Sequence, residues 1–172
     1  MKIRTATLSD KDAINRVYIN AFPESENELV ANLALDLFSD KTVSLVAEKD
    51  CGIVGHVAFS PVTIIQNEKS KVYILAPLGV LPQHQNKGTG SKLIQHGIQK
   101  MKEMGVNTLL VYGDPNYYAR FGFNANIGKH FTPPYDLKFP HGWMGMSVNQ
   151  DDRQKSPCQI SCVDALDNPV LW

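Results

Sequence analysis

The segment that most constrains this chain is KVYILAPLGV, residues 71–80, together with LPQHQNKGTG, which carries it on to Gly90. The first half is almost wholly apolar, which predicts a strand buried on both faces. Pro77 interrupts it. Proline cannot donate to a ladder and is confined to edges and bulges, so the strand should part from a neighbour near Pro77. Past the turn, Ile94, Ile98 and Met101 recur at i, i+4 and i+7, and Gly105 supplies a stop. That spacing predicts a helix over 88–104. Such a helix opens on Gly88 and Gly90, although glycine costs about 1 kcal/mol against alanine in a helix.

One reason for glycine at a helix start is close approach of an anion. Helix N-termini carry N–H groups without intrahelical partners and a partial positive charge. They bind phosphate where the backbone is accessible, and Lys87 adds a cation. The other reason is tight packing of an ordinary strand–turn–helix. The spacing is not G-x-x-x-x-G-K-[ST], so a P-loop is excluded. A dinucleotide fingerprint would want a third glycine where Leu93 stands.

The rest of the chain reads as a mixed α/β domain. KIRTAT, residues 2–7, alternates as a strand. Ser9 with Asp12 resembles a capping box, predicting a helix from Asp10 to about Asn20. Leu29, Leu33 and Leu37 predict a second helix over 25–38. Two strands follow, joined by a hairpin at Lys49–Gly52. VNTLLVYG, residues 106–113, reads as a strand. DPNYYARFGF, residues 114–123, reads as a short helix with Pro115 at its first position, leading into another strand. Beyond Asn124, prolines at 133, 134, 140, 157 and 169 predict loops and short strands. The 172 residues suit one domain, with a motif-bearing core over about 1–124 and a C-terminal part over 125–172.

Composition narrows the function classes. Seventeen basic and seventeen acidic side chains balance, which argues against a broad nucleic-acid footprint. The first ten residues lack an apolar signal region, and no apolar run approaches the ~20 residues of a membrane span. Cys51, Cys158 and Cys162 are too few for a disulfide framework or a zinc knuckle. These features predict a soluble cytoplasmic protein with reduced thiols, no metal, no nucleic-acid partner and no membrane partner.

The run Q-x-x-G-x-G over 85–90, preceded by an apolar strand and V-x-P, resembles the GCN5-related N-acetyltransferase superfamily. The stretch DPNYYARFGF is a second match. With GHVAFSPV and LAPLGVLP it looks like the subgroup of bacterial acetyltransferases of the YhbS type, over about residues 1–123. The resemblance implies a mixed, mostly antiparallel central sheet that splays at the fourth strand, flanked by helices. It implies acetyl-coenzyme A as co-substrate and an N-acetyltransferase acting on a primary amine of a small molecule or peptide. Gln85, Asn86, Lys87, Gly88, Thr89, Gly90 and Ser91 would then cradle the pyrophosphate. Leu78, Gly79 and Val80 would pair with the pantetheine arm and offer an oxyanion donor. Asn116 would bond the arm or the adenosine side, and Tyr118 would protonate the departing thiolate.

Tyrosine, with an ordinary pKa of ~10, is protonated at neutral pH and suits that role. Tyr117 and Arg120 read as packing residues. The base is open among Glu24, Glu26, Glu28, His56, His130 and His141, and Glu28 is the choice for lining an acceptor cleft. The three glutamates equally suit a helix start. The acidic AFPESENE, residues 21–28, would attract a cationic amine or simply be solvated. Phe131, Tyr135, Phe139 and Trp143 would form a lid over the acceptor or a packed loop. A non-catalytic acyl-coenzyme A sensor, a transferase of another acyl group and a homodimer stay open.

Overall fold

The computed structural model describes residues 1–39, 41–50, 52–65, 70–149 and 157–172. The chain divides into two compact units, Met1–Phe59 with Ala76–Gly97, and Ser60–Leu75 with Ile98–Trp172.

In the first unit, β1 (Lys2–Thr5) pairs antiparallel with β2 (Val43–Lys49), and β2 pairs antiparallel with β3 (Gly52–Ile64). The β2–β3 hairpin turns where the sequence predicts; Cys51 lies outside the described residues. Helices α1 (Lys11–Ala21) and α2 (Asn27–Asp36) pack together over Ile14, Tyr18, Ala31, Ala34 and Val46. The expected capping box shifts by two residues. The Asp10 carboxylate accepts from the Thr7 N–H at 2.7 Å, so the cap falls on a single 3-10 turn ahead of α1. The same carboxylate takes both terminal nitrogens of Arg4, at 2.7 and 2.9 Å, which favours that register. The charge pair holds Asp10 well below the usual carboxylate range and Arg4 above its own.

Strand β4 (Val72–Val80) lies beside β3. Its first four residues are buried without a break; from Ala76 onward half-buried and buried positions alternate. The change has a cause in the ladder. β4 pairs in parallel with β5 (Thr108–Tyr112) only over Val72–Leu75, and that pairing stops at Leu75↔Val111. The two strands therefore part just ahead of Pro77, where the proline predicts it. Beyond the turn comes α3 (Thr89–Glu103), ended by Gly105 at φ +70°.

In the second unit, β5 pairs antiparallel with β7 (Trp143–Ser147), and the end of β3 pairs antiparallel with β8 (Cys158–Ser161). A short parallel pair joins β6 (Phe131–Thr132) to β8. Helix α4 (Pro115–Tyr118) runs into a 3-10 turn that Gly122 closes at φ +99°. No strand follows it, contrary to expectation. Asn124 makes one antiparallel bridge to Gly145, and its side chain then caps α5 (Ala125–Gly128) by accepting from the Ile127 N–H at 3.1 Å.

The aromatic residues of 131–143 divide. Phe131 and Trp143 are core; the indole N–H lies 2.8 Å from the Phe131 carbonyl and 3.0 Å from that of Gly128. Phe139 is 72% exposed.

Candidate functional site

The glycine turn is built as a loop that leaves its own backbone accessible. Asn86 and Gly88 have φ +55° and +81°, and α3 begins at Thr89. A Cβ built at Gly88 would meet nothing within 4 Å, so packing does not require a glycine there. Its left-handed backbone and open surroundings do favour one. The first intrahelical bond runs from Lys92 N–H to the Gly88 carbonyl at 3.0 Å. As a rule, N–H groups in the first turn of a helix lack an intrahelical carbonyl partner.

The predicted side chains take different parts. Gln85 donates from Nε2 to the Val80 carbonyl at 2.9 Å, tying the turn to the strand exit. Lys87 Nζ donates to the Gln83 carbonyl at 2.9 Å, which keeps the cation over the turn. Thr89 points inward and is 4% exposed. Gly90 and Ser91 are half-buried in the first turn of α3, and Leu78 and Val80 are half-buried on β4. An exposed turn at a helix N-terminus, with the Lys87 cation held over it, suits an anion such as a phosphate.

Gly79 is buried, and a Cβ on it would stand 2.8 Å from Cε1 of Tyr18. Sequence reading passed over Tyr18, because an aromatic residue at a helical core spacing carries no mark of contact with a strand about 60 residues on. The same region disposes of one candidate base. His56 is fully buried, and burial pushes its pKa down to about 3. Both ring nitrogens have partners: Nδ1 lies 2.8 Å from the Tyr18 hydroxyl and Nε2 2.7 Å from that of Ser44. A neutral histidine with no access to solvent or substrate does not serve as the base. Glu24, Glu26 and Glu28 are all exposed, with Glu28 in the first turn of α2. His130 is half-buried and His141 exposed.

In the second unit, the Asp114 carboxylate accepts from the Asn116 N–H at 2.9 Å and starts α4, with Pro115 in the position that lacks a donor. Tyr118 packs against the backbone just past β5, where a Cβ on Gly113 would stand 2.5 Å from its Cε2. Its ring meets those of Tyr117 at 5.1 Å and Phe123 at 5.8 Å, both edge-on. Burial, with a smaller effect of Tyr117, raises the Tyr118 phenol above its ordinary range. Arg120 covers Tyr117 at 4.4 Å from the ring centre, so both take the packing role read for them. Asn116 is exposed.

A cavity of about 520 Å³ opens beside this helix, lined by residues 112–115 and 138–142. The Phe139 N–H donates to the Tyr112 phenol oxygen at 2.9 Å, and Tyr112 stacks on Trp172. Its volume lies within the range of small-molecule sites. Among the described residues no three His, Cys, Asp or Glu side chains gather as a metal site, and no helix is long and apolar enough to cross a membrane.

The model of the GNAT acetyltransferase domain matches residues 2–125. The chain belongs to the GNAT acetyltransferase family. It is 37% identical over 168 residues to the uncharacterized N-acetyltransferase YjhQ of Escherichia coli K12, covering 95% of this chain and 92% of that protein. It is 35% identical to the uncharacterized N-acetyltransferase YhbS of the same strain over 125 residues, 72% of this chain and 73% of the other. Among solved structures, that of Escherichia coli YhbS in complex with CoA superposes with a TM-score of 0.81 and 25% identity, covering 97% of this chain and 92% of that one. A GNAT family acetyltransferase from Brucella melitensis in complex with acetyl-CoA gives 0.71 and 30%, covering 96% and 97%. The mixed, mostly antiparallel sheet flanked by helices is the fold of these proteins.

Proposed function

We propose that the chain is a cytoplasmic, single-domain N-acetyltransferase that moves the acetyl group of acetyl-CoA to a primary amine by direct attack. The observation that carries this is the turn before α3, where Gly88 holds a left-handed backbone with open space around it. That is what a pyrophosphate would need to reach N–H groups of the turn. The solved relatives in complex with CoA and acetyl-CoA support the same ligand here. Acetyl-CoA supplies an activated thioester.

The chain's residues divide the remaining work. Asn86, Lys87, Gly88, Thr89, Gly90 and Ser91 hold the phosphates, with Gln85 keeping the turn in place. Leu78, Gly79 and Val80, on the part of β4 that β5 no longer pairs, bond the pantetheine arm as an added strand would. One of their N–H groups faces the charge that develops on the thioester oxygen. Asn116 steadies the arm. Tyr118, kept protonated by its surroundings, delivers a proton to the sulfur. Glu28 takes the proton of the incoming ammonium, directly or through water. The cavity beside α4 receives the amine, with Phe139 as its exposed apolar wall. The second apolar position of the segment, Tyr135, bonds Asp167 at 2.7 Å instead.

Calorimetric titration with acetyl-CoA of the wild type and of Gly88→Glu tests the reading. The space around Gly88 is open, but its φ of +81° strains an L side chain by roughly 1–2 kcal/mol, so the variant is compared only once circular dichroism shows it folded. Micromolar binding that the variant loses is expected. Wild-type protein that does not bind acetyl-CoA would refute the proposal. Binding without release of free thiol, across a panel of spermidine, kanamycin and phenethylamine, would favour an acyl-CoA sensor.

A further inference from the structure

We propose that Tyr18 is a positioning residue for the acyl donor: it sets the β4 backbone at Gly79, and is itself fixed by a buried hydrogen-bonded chain through His56 to Ser44. The inference rests on the reading that residues 78–80 bond the pantetheine arm.

Tyr18 is fully buried in α1, and two of its contacts bear on the donor strand. Its ring edge lies on Gly79, whose Cβ would stand 2.8 Å from Cε1 and 3.0 Å from Cδ1. Glycine has no side chain with which to hold its own place, so on this face the tyrosine ring defines how far the strand can move. At the other end, the hydroxyl lies 2.8 Å from His56 Nδ1. His56 continues the chain from β3 to β2 through Nε2 and the Ser44 hydroxyl at 2.7 Å. His56 faces Val46 across the β2–β3 ladder, with Ser44 diagonal to it, so rigid strands carry the far end. The imidazole meets the tyrosine ring edge-on at 5.6 Å.

A neutral imidazole has one donor and one acceptor. The chain can therefore run in one direction or the other, and in both the histidine is satisfied at both ends. Three polar groups in an apolar core are expensive unless fully paired. An all-apolar trio would fill the same volume with less demand on geometry. What the paired trio supplies is a fixed angle and depth for the tyrosine ring, and that ring abuts the one residue of the donor strand that cannot place itself.

The experiment compares two ligands. Acetyl-CoA uses both the cradle at Gly88 and the strand at Gly79; adenosine 3′,5′-bisphosphate has no pantetheine arm. Tyr18→Phe keeps the ring and removes the hydroxyl. The clamp predicts that acetyl-CoA affinity falls roughly 10-fold while affinity for the bisphosphate changes less than about 2-fold, by calorimetry on protein shown to be folded. Equal weakening of both ligands, or no change in either, would overturn it. Gly79→Ala forces a Cβ into the ring and should weaken acetyl-CoA further. Tyr18→Leu, added to Gly79→Ala, should cost less than the product of the two single losses because the clash is relieved, and losses that simply multiply would contradict the coupling. If the wild type binds neither ligand, the enzyme reading fails by itself. Amide exchange then decides the clamp, which requires faster exchange at Gly79 and Val80 in Tyr18→Phe than in the wild type, and falls if the two are the same.

Discussion

Lowering the pH should unfold this protein earlier than its surface charges would suggest, because of His56. In the folded chain its pKa is about 3, against 6.5 for the free side chain, and burial is the cause, opposed only by the more distant charge of Asp10. Above pH 6.5 both states hold the ring neutral, and nothing is lost. Below 6.5 the unfolded chain gains a proton that the folded one refuses, so stability falls until the folded value is reached. Each pH unit inside the window costs about 1.4 kcal/mol. Going from neutrality to about pH 5 therefore removes about 2 kcal/mol, or roughly 4–8 °C of melting temperature for a chain of this size. Asp10 does not confuse the reading. Its depressed pKa contributes stability that is lost only as the pH falls below the ordinary carboxylate value of 3.8. Urea midpoints between about pH 7.5 and pH 5, for wild type and His56→Gln, measure the effect. The variant keeps a donor and an acceptor for Tyr18 and Ser44 but does not titrate, and its slope should be flatter by the full amount. Parallel slopes for the two proteins would refute the account of His56 as a buried neutral group.

Four other expectations are checked separately. Tyr118→Phe should lower the rate of thiol release by roughly 100-fold with acetyl-CoA affinity nearly unchanged, because only the transferred proton is lost. With Tyr118 raised, wild-type activity should show no alkaline loss from this group up to about pH 10. Phe139→Ala should raise KM for an amine acceptor but not for acetyl-CoA, with stability changed by less than about 0.5 kcal/mol because the ring is exposed. Gly97→Ala should destabilise by about 1–3 kcal/mol or more in urea unfolding, since the new methyl would overlap the buried ring of Phe59.

The parts of the fold written in short windows were legible. The apolar run, Pro77 and the glycine turn lie within 20 residues, and each has a local meaning. So does Asp114-Pro115, where a cap and a ring-locked φ start a helix. Signals that depend on competition between neighbours were harder. Asp10 caps Thr7 because Arg4 holds the carboxylate there, which no capping pattern contains. The strand expected after Phe123 is absent because Gly122 is left-handed and Asn124 prefers to cap α5. Least legible was His56. In the sequence it is a titratable group free to be a base, and only the meeting of α1, β2 and β3 makes it a neutral strut. Phe131 and Trp143 look like Phe139 in composition, but separate into core and surface once β5 and β7 pair.

The turn at Gly88 has a consequence in stereochemistry. A glycine there could be required for its φ of +81° or for the absence of a side chain, and ordinary mutagenesis changes both together. The mirror-image amino acid separates them. D-alanine adopts positive φ as readily as L-alanine adopts negative, and Gly88 is exposed. A semisynthetic chain with D-alanine at 88 would hold the same loop and differ only by one methyl group of the opposite hand. Handedness at a single carbon would then report whether acetyl-CoA binding depends on the loop's shape or on its bareness.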